Sequence, residues 1–146
     1  MTSPLGLLRI RAFEDGHFEP APDGQLAAIL RVDDDVGELV DLCAWYLSDP
    51  GKWWLRHRDE AAFLGSAAVA QAAYYQEALQ LASTPEAWIE ARRKGACIIN
   101  WALDFRYIFD GVPRIICDCP ALRVRLHDAL HHEDPKLVTT GARSVA

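Results

Sequence analysis

Apolar and polar residues alternate along much of the first 56 positions of the chain, which is the pattern of half-buried β-strands. The alternation predicts strands over residues 7–13 and 38–47. Residues 25–32 fit a strand or a short helix, because their period alone does not decide between the two. Residues 14–24 are rich in Gly, Pro and acidic side chains and predict a loop. A Ser-Asp-Pro-Gly turn then leads into a strand over residues 52–56, which is predicted to form a hairpin with the strand before it.

The best-defined local signals lie in the second half of the chain. Thr84 is a good N-cap residue, Pro85 suits the first helical position, and Gly95 suits the left-handed position after a helix. These signals predict a helix over residues 85–94. The apolar run that follows, Ala-Cys-Ile-Ile at residues 96–99, predicts a buried strand.

Other helices are predicted on either side of this segment. Residues 67–82 are rich in alanine and apolar nearly all round, which indicates a helix buried between layers or packed on a partner. Residues 120–131 begin with proline and carry an apolar stripe. A short helix is predicted over residues 60–64 and a strand over residues 114–117, whereas residues 103–110 fit a strand or irregular structure.

These elements predict an α+β fold, in which an antiparallel sheet from the N-terminal half carries about three packed helices. At 146 residues the chain is long enough for one globular domain with its own core. We expect that domain over residues 1–132. Residues 133–146 are polar, contain Pro and Gly, and are predicted to form a flexible tail.

The net charge of −6 is unevenly distributed along the chain. Residues 1–60 carry 12 acidic and 6 basic side chains, whereas residues 61–146 carry 9 of each. Direct nucleic-acid binding is not predicted, because phosphate contacts usually leave a basic footprint. No apolar run approaches the roughly 20 residues that span a bilayer, and the N-terminus lacks the core of a secretory signal. We therefore expect a cytoplasmic protein without a membrane segment.

The four cysteines do not suggest a disulfide framework. Cys43 and Cys97 lie in apolar surroundings and are predicted to be reduced core residues. Cys117 and Cys119 are only two positions apart, so a bond between them would be strained.

A metal site is the first candidate chemistry. Cys117 and Cys119 precede a predicted helix that carries His127 and His131 with the i, i+4 spacing of known ligand pairs. However, His127 lies eight residues beyond Cys119, which is roughly 12 Å along a helix axis. That separation is too long for one tetrahedral ion, so no metal and no cofactor are predicted, and a metal-binding domain remains the weakest alternative.

Acid–base chemistry is the second candidate. Asp104 and Asp110 flank an aromatic stretch, and Asp118 follows the strand predicted over residues 114–117. A carboxylate at the end of a strand is a common catalytic position in layered folds, but Asp118 can equally cap the helix that follows. If the three aspartates converge near Arg114 or His127, the protein is a small enzyme or a nucleic-acid-processing factor. The chain contains no nucleophile elbow and no glycine-rich phosphate loop.

A tryptophan-rich hairpin and an acidic segment are the remaining candidates. Adjacent tryptophans on a strand face opposite sides, so one of them is expected outside the main core. Exposed tryptophan beside arginine is typical of interface hot spots. The acidic segment fits a solvated loop or a mimic of phosphate groups. The predicted partner-binding residues are Trp53, Trp54, Arg56, Arg58, Asp33, Asp34 and Asp35.

The sequences DLCAWYLSDPGKWWLR at residues 41–56 and TPEAWIEARRKGACIINW at residues 84–101 resemble an uncharacterised family of small bacterial proteins. The resemblance also includes the Leu-Gly pair at residues 64–65 and covers residues 36–101. That family is associated with phage-like or mobile regions in proteobacteria. The resemblance implies an accessory role and transfers no catalytic residue, because the shared Trp, Pro and Gly positions report fold more than chemistry.

The function predicted from the sequence is therefore a non-enzymatic, protein-binding accessory, such as a regulator or inhibitor. The aromatic and acidic surface candidates favour this function, and no catalytic constellation competes with them. A protein partner is expected. The apolar helix predicted over residues 67–82 also permits a homodimer.

Overall fold

The computed structural model describes residues 6–58, 61–105 and 107–131. The described residues form two β-sheets and three helices, which confirms the predicted α+β class. No described helix is both long and apolar enough to span a membrane. In chain order the elements are β1 Gly6–Ala12, β2 Phe18–Pro20, β3 Gln25–Asp33, β4 Leu39–Tyr46, β5 Trp54–Leu55, β6 Phe63–Leu64, α1 Ser66–Tyr75, β7 Ala78–Ala82, α2 Pro85–Glu90, β8 Ala96–Ile98, β9 Arg114–Cys117 and α3 Pro120–Leu130.

The first sheet contains β1 to β5 in the order β2-β1-β3-β4-β5, and all its neighbours are antiparallel. The sheet curls until its last strand meets the turn between β1 and β2. There the Leu55 N–H donates to the Gly16 carbonyl at 2.9 Å, and His17 forms an isolated bridge with Leu55. The curl encloses a small apolar cluster that includes Ile10 and Phe18.

The N-terminal predictions are largely confirmed. Residues 25–32 form a strand rather than a helix, because β3 lies between β1 and β4 and hydrogen-bonds to both. The hairpin is confirmed as well, since Trp54 pairs with Ala44 across β4 and β5. The loop predicted over residues 14–24 is wrong at its centre, where the short strand β2 pairs with the end of β1.

The second sheet has the order β6-β8-β7-β9 and was not predicted. Its strands β8, β7 and β9 run parallel, and β6 joins β8 antiparallel at the edge. Helix α2 connects the parallel neighbours β7 and β8 and lies on the side of this sheet that faces the first sheet. Helices α1 and α3 cover the opposite side. All three helices contact strands of the second sheet, and α2 also packs against the first sheet through Trp88, which shares a core cluster with Val32 of β3 and Trp45 of β4.

The helix predicted over residues 67–82 is wrong in its second half. Helix α1 ends at Tyr75, because Gln76 adopts a left-handed conformation with φ 56°. The Gln76 side-chain amide then donates to the carbonyl of Gly111, which fixes the chain reversal. Beyond it, the buried Leu79 and Leu81 alternate with the exposed Ala78 and Gln80, which is the two-residue period of a strand. Tertiary pairing of β7 with β8 and β9 overrides the helical propensity of the alanine-rich sequence.

The short helix predicted over residues 60–64 is also contradicted. Phe63 and Leu64 form strand β6, in which Leu64 pairs with Cys97 of β8. The two side chains are buried in different apolar clusters on opposite sides of the sheet, and only an extended chain allows that for adjacent residues. Residues 59 and 60 lie outside the described part of the chain.

The helix start at Thr84 is confirmed, because the Thr84 hydroxyl accepts the N–H of Ala87 at 3.0 Å. The helix ends at Glu90 rather than at residue 94, and Arg92 and Arg93 adopt left-handed conformations beyond it. Gly95 is left-handed as predicted, with φ 77°. A Cβ atom at Gly95 would lie 2.2 Å from the Gln80 carbonyl oxygen, so the close approach of the chain to β7 requires glycine here.

The strands predicted over residues 96–99 and 114–117 correspond to β8 and β9, and the helix predicted over residues 120–131 corresponds to α3. Residues 103–105 and 107–110 are irregular. The predicted tail over residues 133–146 lies outside the described residues.

The main core lies between the two sheets. It includes the fully buried Trp45 from β4, Cys97 from β8 and Trp88 from α2. A second core lies on the other side of the second sheet, where Leu122 and Leu126 of α3 pack. Both sheets therefore share one apolar layer, and each also carries a second apolar cluster on its other face.

Candidate functional site

A surface groove lies where the curled first sheet closes on itself. It has a volume of about 440 Å³ and opens between the turn that joins β1 to β2 and the residues just before β5. Phe13, Trp53 and Trp54 provide its aromatic lining, while Glu14 and Lys52 are exposed and add one charge of each sign. Neither charged side chain has a hydrogen-bond or ion-pair partner among the described residues.

Backbone bonds hold the first wall of the groove in place. The Phe13 N–H donates to the His17 carbonyl at 2.9 Å, and the Gly16 N–H donates to the Phe13 carbonyl at 3.1 Å. The rings of Phe13 and His17 stack, with centroids 4.5 Å apart and planes inclined by 11°. Because β5 also bonds to Gly16, the two walls are connected directly.

The two tryptophans of the other wall are half-buried and fixed by different partners. The Trp53 indole N–H donates to the Ile99 carbonyl at 2.9 Å, and its ring contacts the core between the sheets. Trp54 contacts the cluster inside the curled sheet, with its ring centroid 5.1 Å from that of Tyr46. The prediction that adjacent tryptophans face opposite sides is confirmed. Both rings are fixed before any partner arrives, which lowers the entropy cost of binding.

Electrostatic contacts stabilise the turn next to the groove. Asp15 accepts a hydrogen bond from the backbone N–H of His17 at 3.1 Å, and the same carboxylate oxygen lies 2.5 Å from the His17 Nδ1 atom. The side-chain hydrogen bond from His17 lowers the pKa of Asp15 below its usual value. The Nε2 atom of His17 lies 3.8 Å from a Glu19 carboxylate oxygen.

The predicted arginines do not line the groove. Arg58 is half-buried and left-handed, and its side chain packs close to Gly16. Its backbone N–H donates to the Asp41 carboxylate at 2.9 Å. Arg56 is half-buried and bonds through its backbone N–H to the Leu42 carbonyl, and it is not part of the groove lining.

Asp41 is a structural residue that the sequence did not reveal. Its carboxylate is only 2% exposed and accepts backbone N–H groups from Leu42, His57 and Arg58. The bonds from His57 and Arg58 tie the segment after β5 to β4. A buried carboxylate with three donors is stable without a counter-ion, because the hydrogen bonds replace its lost hydration.

The acidic segment forms the turn between β3 and β4. Asp33 pairs with Arg31 at 2.8 Å, and one oxygen of Asp34 accepts the backbone N–H groups of Val36 and Glu38. Asp35 is exposed. A depression of about 260 Å³ lies between this turn and the start of α1. The segment lines a different depression from the tryptophans, so the predicted partner-binding residues form two separate surfaces.

The predicted aspartate cluster is not assembled. Asp110 precedes β9 and Asp118 follows it, so the strand separates the two carboxylates. Asp118 accepts the backbone N–H and the hydroxyl of Ser83, at 2.9 and 3.1 Å. It does not cap α3, whose N-cap residue is Cys119 without a side-chain bond. Asp104 is exposed in the irregular segment that follows β8.

The cysteine and histidine candidates do not gather around a common point either. Within residues 6–58, 61–105 and 107–131, no three His, Cys, Asp or Glu side chains lie close enough to hold a metal ion. The rings of His127 and His131 stack at 4.3 Å on α3. Cys117 and Cys119 are half-buried free thiols, and burial raises the pKa of Cys117.

Cys43 and Cys97 are buried free thiols in the core, as predicted. Burial raises the pKa of both thiols well above the usual range, since a thiolate would lose its hydration there. Neither thiol is therefore suited to act as a nucleophile.

Sequence reasoning missed three residues of the groove. Phe13 ended a predicted strand, Glu14 lay in a predicted loop, and Lys52 followed a turn. Lys52 directly precedes Trp53, whereas Phe13 and Glu14 meet the tryptophans only because the sheet curls and Gly16 bonds to Leu55. The glycine in the first turn, with φ 94°, was the one local signal, because it marks a tight chain reversal.

Comparison with known proteins gives no match: no family model, no curated protein and no solved structure matches the chain. The association with phage-like or mobile regions therefore stays a prediction from the sequence resemblance.

Proposed function

We propose that the protein is a non-enzymatic accessory that binds a protein partner in the groove between Phe13 and the tryptophans. The observation that carries the proposal is the groove itself, about 440 Å³ in volume, with three aromatic side chains and two exposed, opposite charges. Pockets of a few hundred Å³ with apolar walls and few polar groups are typical binding sites. Aromatic side chains dominate the energy of many protein interfaces.

The shape and charge of the groove suggest the chemistry of its occupant. An apolar side chain on an extended segment of the partner would contact the aromatic lining. A basic group next to that side chain would meet Glu14, and an acidic group would meet Lys52. Such pairing at an exposed rim mainly sets orientation and association rate, whereas the aromatic contacts supply most of the affinity.

We further propose a regulatory or inhibitory role, which accords with the resemblance of the sequence to a family associated with phage-like or mobile regions. The groove supports this proposal better than the acidic turn does. Two of the three aspartates in that turn already have partners, Asp33 with Arg31 and Asp34 with backbone N–H groups.

The experiment that tests this function compares rim variants by native mass spectrometry after gentle purification from the protein's own host. Glu14→Lys and Lys52→Glu change the rim charges without removing a bond within the described residues. Truncating either tryptophan would be less informative, because Trp53 bonds to Ile99 and Trp54 packs inside the sheet. Glu90→Lys on α2 is the matched control, since Glu90 is an exposed glutamate outside the groove.

We expect the wild-type chain and Glu90→Lys to carry the same protein partner in the same ratio. Each rim variant should retain at least about tenfold less of it, which corresponds to about 1.4 kcal/mol of binding free energy. Equal retention by all four proteins would remove the groove as the binding site. A wild-type chain that carries no partner under these conditions would count against the function itself.

A further inference from the structure

The second sheet ends in an edge strand that is open along its length. Among the described residues, β9 pairs with β7 on one side and has no strand on the other. Exposed edges of this kind are templates for pairing with another chain, unless charges, bulges or covering elements protect them. Arg114, Ile116 and Asp118 are all exposed along this strand.

The backbone N–H and C=O groups of successive residues in β9 point to alternate sides of the strand. The Asp118 N–H donates to the Leu81 carbonyl of β7 at 3.1 Å. Because backbone groups of alternate residues in a strand point to opposite neighbours, Ile116 also bonds to β7. Ile115 and Cys117 therefore direct their N–H and C=O groups away from β7, where no described strand accepts them.

The side chains of β9 alternate between the two sides of the sheet. Ile115 and Cys117 pack toward the core beneath α1 and α3. Ile116 and Asp118 face α2 and line a shallow depression with Ala87 and Ala91. Ile116 is 41% exposed, which is unusual for an isoleucine in the middle of a strand.

This strand is complementary to a second copy of itself. In an antiparallel pair centred on Ile116, Arg114 lies opposite Asp118 of the second copy, and the same pair occurs again on the other side of the axis. Ile116 then lies opposite its own copy. Ile115 lies opposite Cys117 of the second copy, and both residues direct their backbone N–H and C=O groups outward. The two such pairs therefore form four backbone hydrogen bonds between the copies.

The two neighbouring registers that keep the same sheet faces aligned fit less well. Centring the pair on Ile115 places Cys117 opposite Pro113, which has no N–H to donate. Centring it on Cys117 places Ile115 opposite Cys119, whose carbonyl already accepts the Arg123 N–H of α3 at 3.3 Å. Neither register places Arg114 opposite Asp118, so the sequence of β9 and its flanks favours the pair centred on Ile116.

We propose that the protein forms a homodimer in which two β9 strands pair antiparallel about Ile116, joining the two second sheets into one. The surface is separate from the aromatic groove, so the dimer does not depend on the proposed function. It is a symmetric interface, in which each chain contributes the same residues to both halves. Opposite charges facing each other across neighbouring strands stabilise such a pair, and like charges oppose it.

The decisive test reverses the charge at position 114 or 118. The mass of the protein in solution is measured by sedimentation equilibrium from micromolar to millimolar concentration. We expect the wild-type mass to rise from that of one chain toward that of two. Arg114→Asp and Asp118→Arg each place like charges opposite each other in a homodimer. Each should therefore weaken dimerisation at least about tenfold, or about 1.4 kcal/mol. An equimolar mixture of the two variants should dimerise again, because all the facing pairs are then opposite in charge.

A wild-type chain that keeps the mass of one chain throughout would overturn the proposal. So would single variants that dimerise as well as the wild type. If both single variants dimerise weakly and their mixture does so equally weakly, the register is refuted.

A cross-linking test covers the case in which Asp118→Arg does not fold after losing its bonds to Ser83. In a Cys117→Ser, Cys119→Ser background, Ile116→Cys places a thiol on the two-fold axis, opposite its copy. We expect rapid oxidation to a disulfide-linked dimer for this variant and not for Ala121→Cys, an exposed control position on α3. Equal rates at the two positions would contradict the pairing.

Discussion

The two sheets of this protein differ at their edges. The first sheet is built from antiparallel neighbours and curls until β5 meets the turn before β2. The second is mixed, with three parallel strands, and no strand among the described residues pairs with the outer side of β9. The closed sheet exposes side chains in a groove between its turns, whereas the open sheet exposes backbone groups along a strand.

The difference indicates which kind of binding each half supports. A groove of fixed aromatic rings recognises side chains of another protein, as we propose for Phe13, Trp53 and Trp54. An open edge recognises a strand, and from the spacing of Arg114 and Asp118 around Ile116 we propose that this strand is a second copy of β9. The two proposals can therefore be tested on separate variants.

The largest predicted effect is on the closure of the first sheet at Asp41. Asp41→Ala leaves three partly buried backbone N–H groups without their acceptor. We expect the free energy of unfolding to fall by roughly 3–5 kcal/mol, as measured by urea denaturation followed through tryptophan fluorescence.

Asp41→Asn is the matched control for this prediction. Its remaining oxygen can still accept the N–H groups of Leu42 and His57, so the loss should be smaller than for alanine. A loss below about 1 kcal/mol for Asp41→Ala would show that these bonds do not hold the sheet closed.

The next largest loss of stability is expected at Gly95, where the chain passes close to β7 of the second sheet. Gly95→Ala adds a Cβ atom 2.2 Å from the Gln80 carbonyl oxygen in a left-handed residue. We expect it to destabilise the protein by roughly 2–4 kcal/mol in the same denaturation experiment.

Gly37→Ala in the turn between β3 and β4 separates the two causes of that loss. Gly37 has φ 90°, but nothing lies within 4 Å of an added Cβ atom. Its cost should be about 1–2 kcal/mol from backbone strain alone. Equal losses at the two glycines would mean that β7 and the chain at Gly95 are not in close contact.

A smaller effect is expected at the start of α2. Thr84→Ala removes the acceptor for the Ala87 N–H and should cost about 1 kcal/mol. Thr84→Ser keeps a hydroxyl at the same position and should stay within about 0.5 kcal/mol of the wild type. The prediction fails if serine and alanine are equally destabilising, because the hydroxyl would then have no role.

The smallest effect is a pH dependence at the turn beside the groove. The hydrogen bond from His17 lowers the pKa of Asp15, so this carboxylate stabilises the folded state above its unfolded pKa. That contribution is lost as the pH falls through the lower, folded pKa. The difference in melting temperature between the wild type and Asp15→Asn should therefore shrink as the pH is lowered from about 5 to about 2. A difference that stays constant over this range would contradict the assigned bond.

The sequence predicted the elements whose signals are local. The Thr84 hydroxyl caps its helix by accepting the backbone N–H of Ala87, only three residues away, and the Pro-Gly turn between β4 and β5 positions its own hairpin. The predictions from the sequence were wrong where pairing with strands distant in the chain decides the conformation. Residues 78–82 were predicted to be helical because alanine and leucine favour a helix, yet they form strand β7, which lies between the parallel strands β8 and β9.

The same limit applies to the groove. Two of its residues, Trp53 and Trp54, were identified as an interface candidate from their composition alone. Phe13 and Glu14 join Lys52 and the tryptophans only through the curl of the sheet, which no local pattern encodes. Asp41 gave no local signal of its role either, because backbone N–H groups distant in sequence, those of His57 and Arg58, make it a buried anchor.

The most direct test of the groove as the partner site is photo-crosslinking inside the host cell. A benzophenone side chain at position 14 is expected to trap one discrete protein, because it would lie at the rim of the groove. The same group at position 74, an exposed tyrosine on α1, should not trap that protein. Trapping of the same protein from both positions, or from neither, would contradict the proposal that the aromatic groove binds a partner.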